Sequence, residues 1–205
     1  MATIIVLLGG LAGLTWVWRH RPEERQAVLG IIAATGLGFQ AVHALEHFVQ
    51  IGAWAISPGR APYLTPWASA GSDLLAVAGN VALGEELLHL SGNVVFLVGL
   101  VALAVLASRS DEGRPHSLRL ALLIQGLHVL EHAALTATVA VGGTALGATT
   151  AFGLLEPGPL LWTYRQMAHF VLNTVATAFA IDATVRLVGA TGLRARGRAR
   201  ALAHD

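Results

Sequence analysis

The chain has 205 residues, 55% of them hydrophobic and 12% charged, with a net charge of +1 and a mean hydropathy of +0.64. That is too apolar for an ordinary soluble domain and has the makeup of an integral membrane protein. All thirteen basic residues are arginine, which excludes a lysine Schiff base to retinal or pyridoxal phosphate, and the absence of cysteine excludes disulfides and thiolate-held metals or iron–sulfur clusters.

Residues 2–18 form an apolar segment about long enough to cross a hydrocarbon core of roughly 30 Å, followed at once by Arg19, His20, Arg21 and Arg25. A cleaved signal peptide places its positive charge first, the reverse of this order, so the sequence predicts a true first span. A second span is expected from Ala27 to Ile56, where Ser57-Pro58-Gly59 stops it. Residues 58–84 are rich in Gly, Pro, Ser and Ala; the apolar piece Leu74 to Leu83 is too short to cross and suits an interfacial or re-entrant segment.

The third span is expected from Glu85 to Ala107, before a charged loop, and the fourth from Leu118 to Val141. A Gly/Ala/Thr-rich stretch, 142–159, then mirrors the earlier long loop, and the fifth span follows from Leu160 to Val188. A tail, 191–205, carries Arg194, Arg196, Arg198 and Arg200, suited to anionic lipid head groups without any nucleic-acid role. Arginine counts in the short loops place the N-terminus outside and the C-terminus in the cytoplasm of a multi-pass cell-membrane protein.

The expected fold is thus all-α with five transmembrane helices. Gln40-Ala-Val-His43-Ala-Leu-Glu46-His47 recurs 85 residues later as Gln125-Gly-Leu-His128-Val-Leu-Glu131-His132, a QxxHxxEH pattern that forms one polar stripe on a helix. Each copy is followed by a second polar helix: Glu86-x-x-His89-x-x-x-Asn93, then Gln166-x-x-His169-x-x-x-Asn173. The chain therefore reads as one transmembrane domain, 1–190, containing tandem parallel repeats at about 27–108 and 116–189, folded as a four-helix bundle behind an extra first helix.

A charge at the centre of a membrane helix costs roughly 2.5–3.5 kcal/mol on the insertion scale, so these stripes should face the bundle interior. Histidines at i and i+4 can reach one metal ion, and Glu at i+3 can be a ligand, a bridge or a partner for a His N–H. The expected metal ligands are His43, Glu46, His47, Glu86, His89, His128, Glu131, His132 and His169, with Gln40, Gln125, Asn93 and Asn173 hydrogen-bonded around them. Tyr164 and Gln166 are candidates at the outer mouth.

Such a donor set suits Fe, Cu(II), Zn or Mn, as one dinuclear site or two separate ones. A redox metal there could act on a lipid or quinone-like substrate from the bilayer. Three alternatives stay open: b-type haem for electron transfer, a proton or metal-ion transporter, and a structural polar network without cofactor. HxxEH also resembles the inverted zinc-peptidase motif, but its double occurrence in membrane helices argues against that assignment. Asp182 and Arg186, four apart, are expected to form an ion pair.

Overall fold

The structure is a computed structural model that describes residues 15–16, 18–58, 60–61, 63–109 and 115–202, with side chains followed to residue 189. The segment expected as the first span lies almost wholly outside the described residues. Among the described residues the regular elements are all helices, joined by turns and loops, with one isolated bridge between Val77 and Asn80. The helices are α1 (Arg25–Ile56), α2 (Pro66–Leu75), α3 (Val81–Ser108), α4 (His116–Ala140) and α5 (Pro159–Leu202).

Four of them, α1, α3, α4 and α5, are long and apolar enough to cross a membrane. At 1.5 Å per residue even α4 extends about 38 Å, more than the roughly 30 Å hydrocarbon core. Their ends follow local chemistry. A 3-10 turn, Pro22–Glu24, leads into α1, and Ser57 and Pro58 follow its last turn. Asn80 caps α3 by accepting a hydrogen bond from Leu83 N at 3.1 Å, which starts the helix four residues before the expected Glu85. Beyond α4, Gly142 adopts φ +81°, a left-handed geometry that glycine tolerates. α5 runs on to Leu202, through the residues the sequence reads as a tail.

The four long helices pack in a ring, α1 against α3, α3 against α4, α4 against α5, and α5 back against α1. Neighbours are antiparallel, since Gly36 meets Gly99 while His47 meets His89 farther along the same pair. At the first crossing a Cβ on Gly36 would stand 2.7 Å from Gly99 Cα, so α1 and α3 touch backbone to backbone. One end of the ring is filled by Leu29, Ala33, Phe96, Leu100, Leu118 and Ala180, with their neighbours. The other end is polar inside.

This distribution inverts that of a soluble protein. Val42, Leu45, Phe48, Val98, Leu127 and Leu130 are exposed on the outer surface, whereas Gln40, Asn93, Gln125, His132 and Asn173 are buried almost completely. Exposed aliphatic helix faces around a polar interior are what contact with lipid requires, and the chain is a multi-pass membrane protein on that ground.

The long loops differ in content. After α1, the side chain of Thr65 caps α2, with Pro66 at its first position, and α2 lies against α3. After α4 comes only a short 3-10 segment, Ala148–Gly153, in which Ala151 and Phe152 both take φ +50°.

Candidate metal centre

The QxxHxxEH stripes turn inward, and each places its two histidines beside a histidine from the following long helix. Two groups result: His43, His47 and His89, and His128, His132 and His169, with the ligand atoms of each lying within 4.8 Å of one another. His47 Nε2 is 3.2 Å from His43 Nε2, and His169 Nε2 is 3.2 Å from His132 Nε2. Two nitrogens bound 2.0–2.1 Å from one tetrahedral ion stand about 3.3 Å apart, so both spacings would admit a shared metal ion, as they also admit an N–H···N hydrogen bond between the rings.

The groups are adjacent. His89 stacks on His132 with ring centroids 5.3 Å apart, and His47 lies 6.1 Å from His169. The two halves therefore meet in one six-histidine cluster.

Backbone and amide partners set which ring nitrogen faces that cluster. His89 Nδ1 donates to Glu85 O at 2.8 Å and His169 Nδ1 donates to Arg165 O at 2.9 Å, because a carbonyl can only accept. His47 Nδ1 donates to Gln50 Oε1 at 2.9 Å, the amide being oriented by its own Nε2, which donates to Glu46 Oε1 at 3.2 Å. In each neutral ring Nε2 then keeps its lone pair, available to a cation. Behind His132 the partner is Glu86, whose Oε2 lies 3.6 Å from Nδ1; its Oε1 is paired with Arg165. Neither Glu86 Oε2 nor His132 Nδ1 has a hydrogen-bond partner, although both are buried.

Glu46 and Glu131, expected among the ligands, join neither group. Each ties down the loop after its own helix. Glu46 accepts from Thr65 N at 3.2 Å and from Thr65 Oγ1, and Glu131 accepts from Ala148 N, Thr149 N and Thr149 Oγ1 at 2.9, 2.8 and 2.7 Å. The helical spacing places these carboxylates beside the histidines but cannot foresee a partner 18 or 19 residues farther on.

Gln40, Gln125, Asn93 and Asn173, expected around the ligands, hydrogen-bond across the halves to one another, to Thr177 and to backbone. Gln40 Nε2 donates to Asn173 Oδ1 at 3.2 Å and to Thr177 Oγ1 at 2.9 Å, while Gln125 Nε2 donates to Asn93 Oδ1 at 2.8 Å. Asn173 Nδ2 also donates to His169 O at 2.9 Å and approaches His128 Nε2 at 3.4 Å. These four side chains floor the cluster above the apolar end.

At the opposite end a cavity of about 230 Å³ leads to the histidines, lined by His47, Gln50, Glu85, His89, Arg165 and His169, among others. Gln166 also lines it, whereas Tyr164 donates to Ala148 O at 3.0 Å and braces the loop. Sequence reasoning missed Gln50 and Arg165. Gln50 extends the first stripe by one more i+3 step, and Arg165 is an isolated charge near the start of an apolar span, so both had a readable signal. Asp182 and Arg186 pair at 2.8 Å, as their spacing predicts.

No curated protein and no solved structure matches the chain. The profile of one protein family, described as a family of unknown function (DUF6008), matches residues 1–190, and the chain belongs to that family.

Proposed function

We propose that this protein is an intramembrane metalloprotein that holds two transition-metal ions side by side, one per histidine triad, and that this centre does redox chemistry on a membrane-soluble substrate. The observation that carries the reading is the repeated triad. In each half two helices supply three imidazoles, two of them 3.2 Å apart at Nε2, and at least one has Nδ1 committed elsewhere. Three His ligands leave a coordination position open, the arrangement of reactive rather than purely structural sites. All-imidazole surroundings suit Fe, Cu(II) or Zn, and redox chemistry needs one of the redox-active ions.

The chain's own residues have definable tasks in this reading. Glu85 O, Arg165 O and Gln50 orient imidazoles, Glu86 balances charge behind His132, and the Gln/Asn floor keeps the cluster apart from the apolar end. Haem b is less well served, because the six rings, at 4.6–6.2 Å between centroids, fill the volume that a porphyrin plane would need between axial histidines. The same reading takes α1–α3 and α4–α5 as tandem parallel repeats, supported by the matching Glu–Thr loop ties. It keeps the arginine-based orientation, with a first span preceding α1, the N-terminus outside and the C-terminus cytoplasmic.

Metal analysis and an absorption spectrum of detergent-purified protein test the proposal. Two ions per chain and no Soret band are expected. A strong Soret band would replace the reading by haem, and metal-free protein of unchanged stability would reduce the cluster to a structural network.

A further inference from the structure

Each triad has, besides the shared polar mouth, an apolar cavity of its own that opens through the side of the helix ring. The first, about 210 Å³, is lined by Phe39, Val42, Trp67 and Leu88 and ends on His43 and His89. The second, about 490 Å³, is lined by Leu127, Leu130, Phe152 and Leu172 and ends on His128. Their walls correspond at the same 85-residue offset: Phe39 with Ile124, Val42 with Leu127, His43 with His128, Glu46 with Glu131. Two side openings at matching positions, each ending on a ligand histidine, are not explained by loose packing at one helix joint.

The rims are lipid-facing. Val42 is 57% and Trp67 53% exposed, and on the other side Leu127 is 60% and Phe152 69% exposed. A molecule dissolved in the bilayer can therefore enter without crossing water. Inside, the only carboxylates are Glu46 and Glu131, and both are already held by loop N–H and hydroxyl donors. The inner ends thus offer no unpaired charge and suit a neutral guest. The imidazole of His43 in one cavity and that of His128, whose Nδ1 has no partner, in the other can hydrogen-bond an oxygen, and aromatic side chains at the rims can stack on a ring.

We propose that these twin cavities bind an uncharged, lipid-dissolved ring compound bearing a carbonyl or hydroxyl oxygen, a benzoquinone or its quinol, with the oxygen directed at His43 in one half and His128 in the other. The proposal deepens the metalloprotein reading, on which it rests for the chemistry at the inner end, but the binding itself can be measured separately.

The experiment uses the full chain in lipid nanodiscs, with a decyl-substituted benzoquinone as probe and 1-decanol as the ringless control. Saturable uptake of two quinones per chain is expected, with no saturable uptake of decanol. Val42→Trp and Leu127→Trp fill one cavity each from an exposed position, so each should lower the count to one and the pair should abolish it. The metal content of every variant, measured in parallel, should remain at two ions. Unsaturable uptake, equal uptake of decanol, or counts unchanged by the tryptophans would overturn the inference while leaving two bound ions to stand. Metal-free protein whose two quinone sites still respond to the tryptophans would keep the inference and remove the metal reading instead.

Discussion

The two halves of the cluster share their histidines but not what stands behind them. Behind His47 is a chain of neutral and charged acceptors, His47 to Gln50 to Glu46, in which the amide separates ring from carboxylate. Behind His132 the position equivalent to Gln50 is Leu135, and a carboxylate, Glu86, faces the ring directly with Arg165 on its other oxygen. The equivalent of Glu86 in the second half is Gln166, so of this pair only the first-half residue is an acid, and it faces a histidine of the opposite half. In the metalloprotein reading, equal ligand sets with unequal backing would make the two metal positions chemically different, since a carboxylate behind a ligating imidazole raises its basicity more than an amide does.

The sharpest way to break this comparison is to remove one ligand from each half. His47→Ala and His132→Ala should each lower the metal content from two ions to one, read by elemental analysis. Loss of both ions from either variant would mean that the halves share one indivisible site.

Next in size is the effect of the backing groups. We predict that Glu86→Gln weakens only the ion of the His128/His132/His169 group, by about 10–100-fold, the usual cost of losing such a partner. Gln50→Leu should weaken only the other. In a cobalt(II) titration followed by its visible bands, wild-type protein should fill in two steps and Glu86→Gln should bring them together. Two steps unchanged in spacing would refute the asymmetry.

The loop ties should contribute alike to stability in both halves. Glu46→Gln and Glu131→Gln each replace a charge-assisted acceptor by a neutral one, at about 1.5–3 kcal/mol of stability. Thermal unfolding in detergent should register the loss in both variants, at unchanged metal content for Glu131→Gln. Loss of an ion from Glu131→Gln would make that carboxylate a ligand after all, whereas Glu46→Gln also loosens Gln50 and should weaken the ion of His43, His47 and His89 no more than Gln50→Leu does.

The smallest expected change lies at the apolar end. Gly36→Ala forces a methyl group against Gly99 and should cost about 1–3 kcal/mol as α1 and α3 separate. The equivalent position in the second half is already Ala121, fully buried, so Ala121→Gly should instead leave a small gap and a smaller loss. Equal losses at the two positions would show that the halves pack alike here.

Much of this arrangement is legible in the sequence, for a simple reason. Helical periodicity is local, so the inward stripes, the partner histidines at 89 and 169, the extents of α1 and α4 and the start of α5 all follow from neighbouring residues. What is not local does not follow. Glu46 and Glu131 lie on the same strips as the histidines, and only the path of the chain 18–19 residues later decides that Thr65 and Thr149 take them. The pairing of Glu86 with Arg165, from helices 79 positions apart in sequence, is of the same kind. Residues 142–159, read as a mirror of the loop that carries α2, have Gly147-Ala148 where that loop starts its helix with Thr65-Pro66, and only a 3-10 segment forms there.

The Gln/Asn floor has one further consequence. Below Gln40, Asn93, Gln125 and Asn173 the ring is closed by Phe96, Leu100, Leu118 and Ala180, each at most 1% exposed. A water molecule, ion or small solute that comes in by the mouth near Arg165 meets a dead end and must leave as it came, or sideways into lipid. Among the described residues the polar interior is thus closed at one end, and a centre of the kind proposed would exchange through the mouth near Arg165 and with the membrane itself.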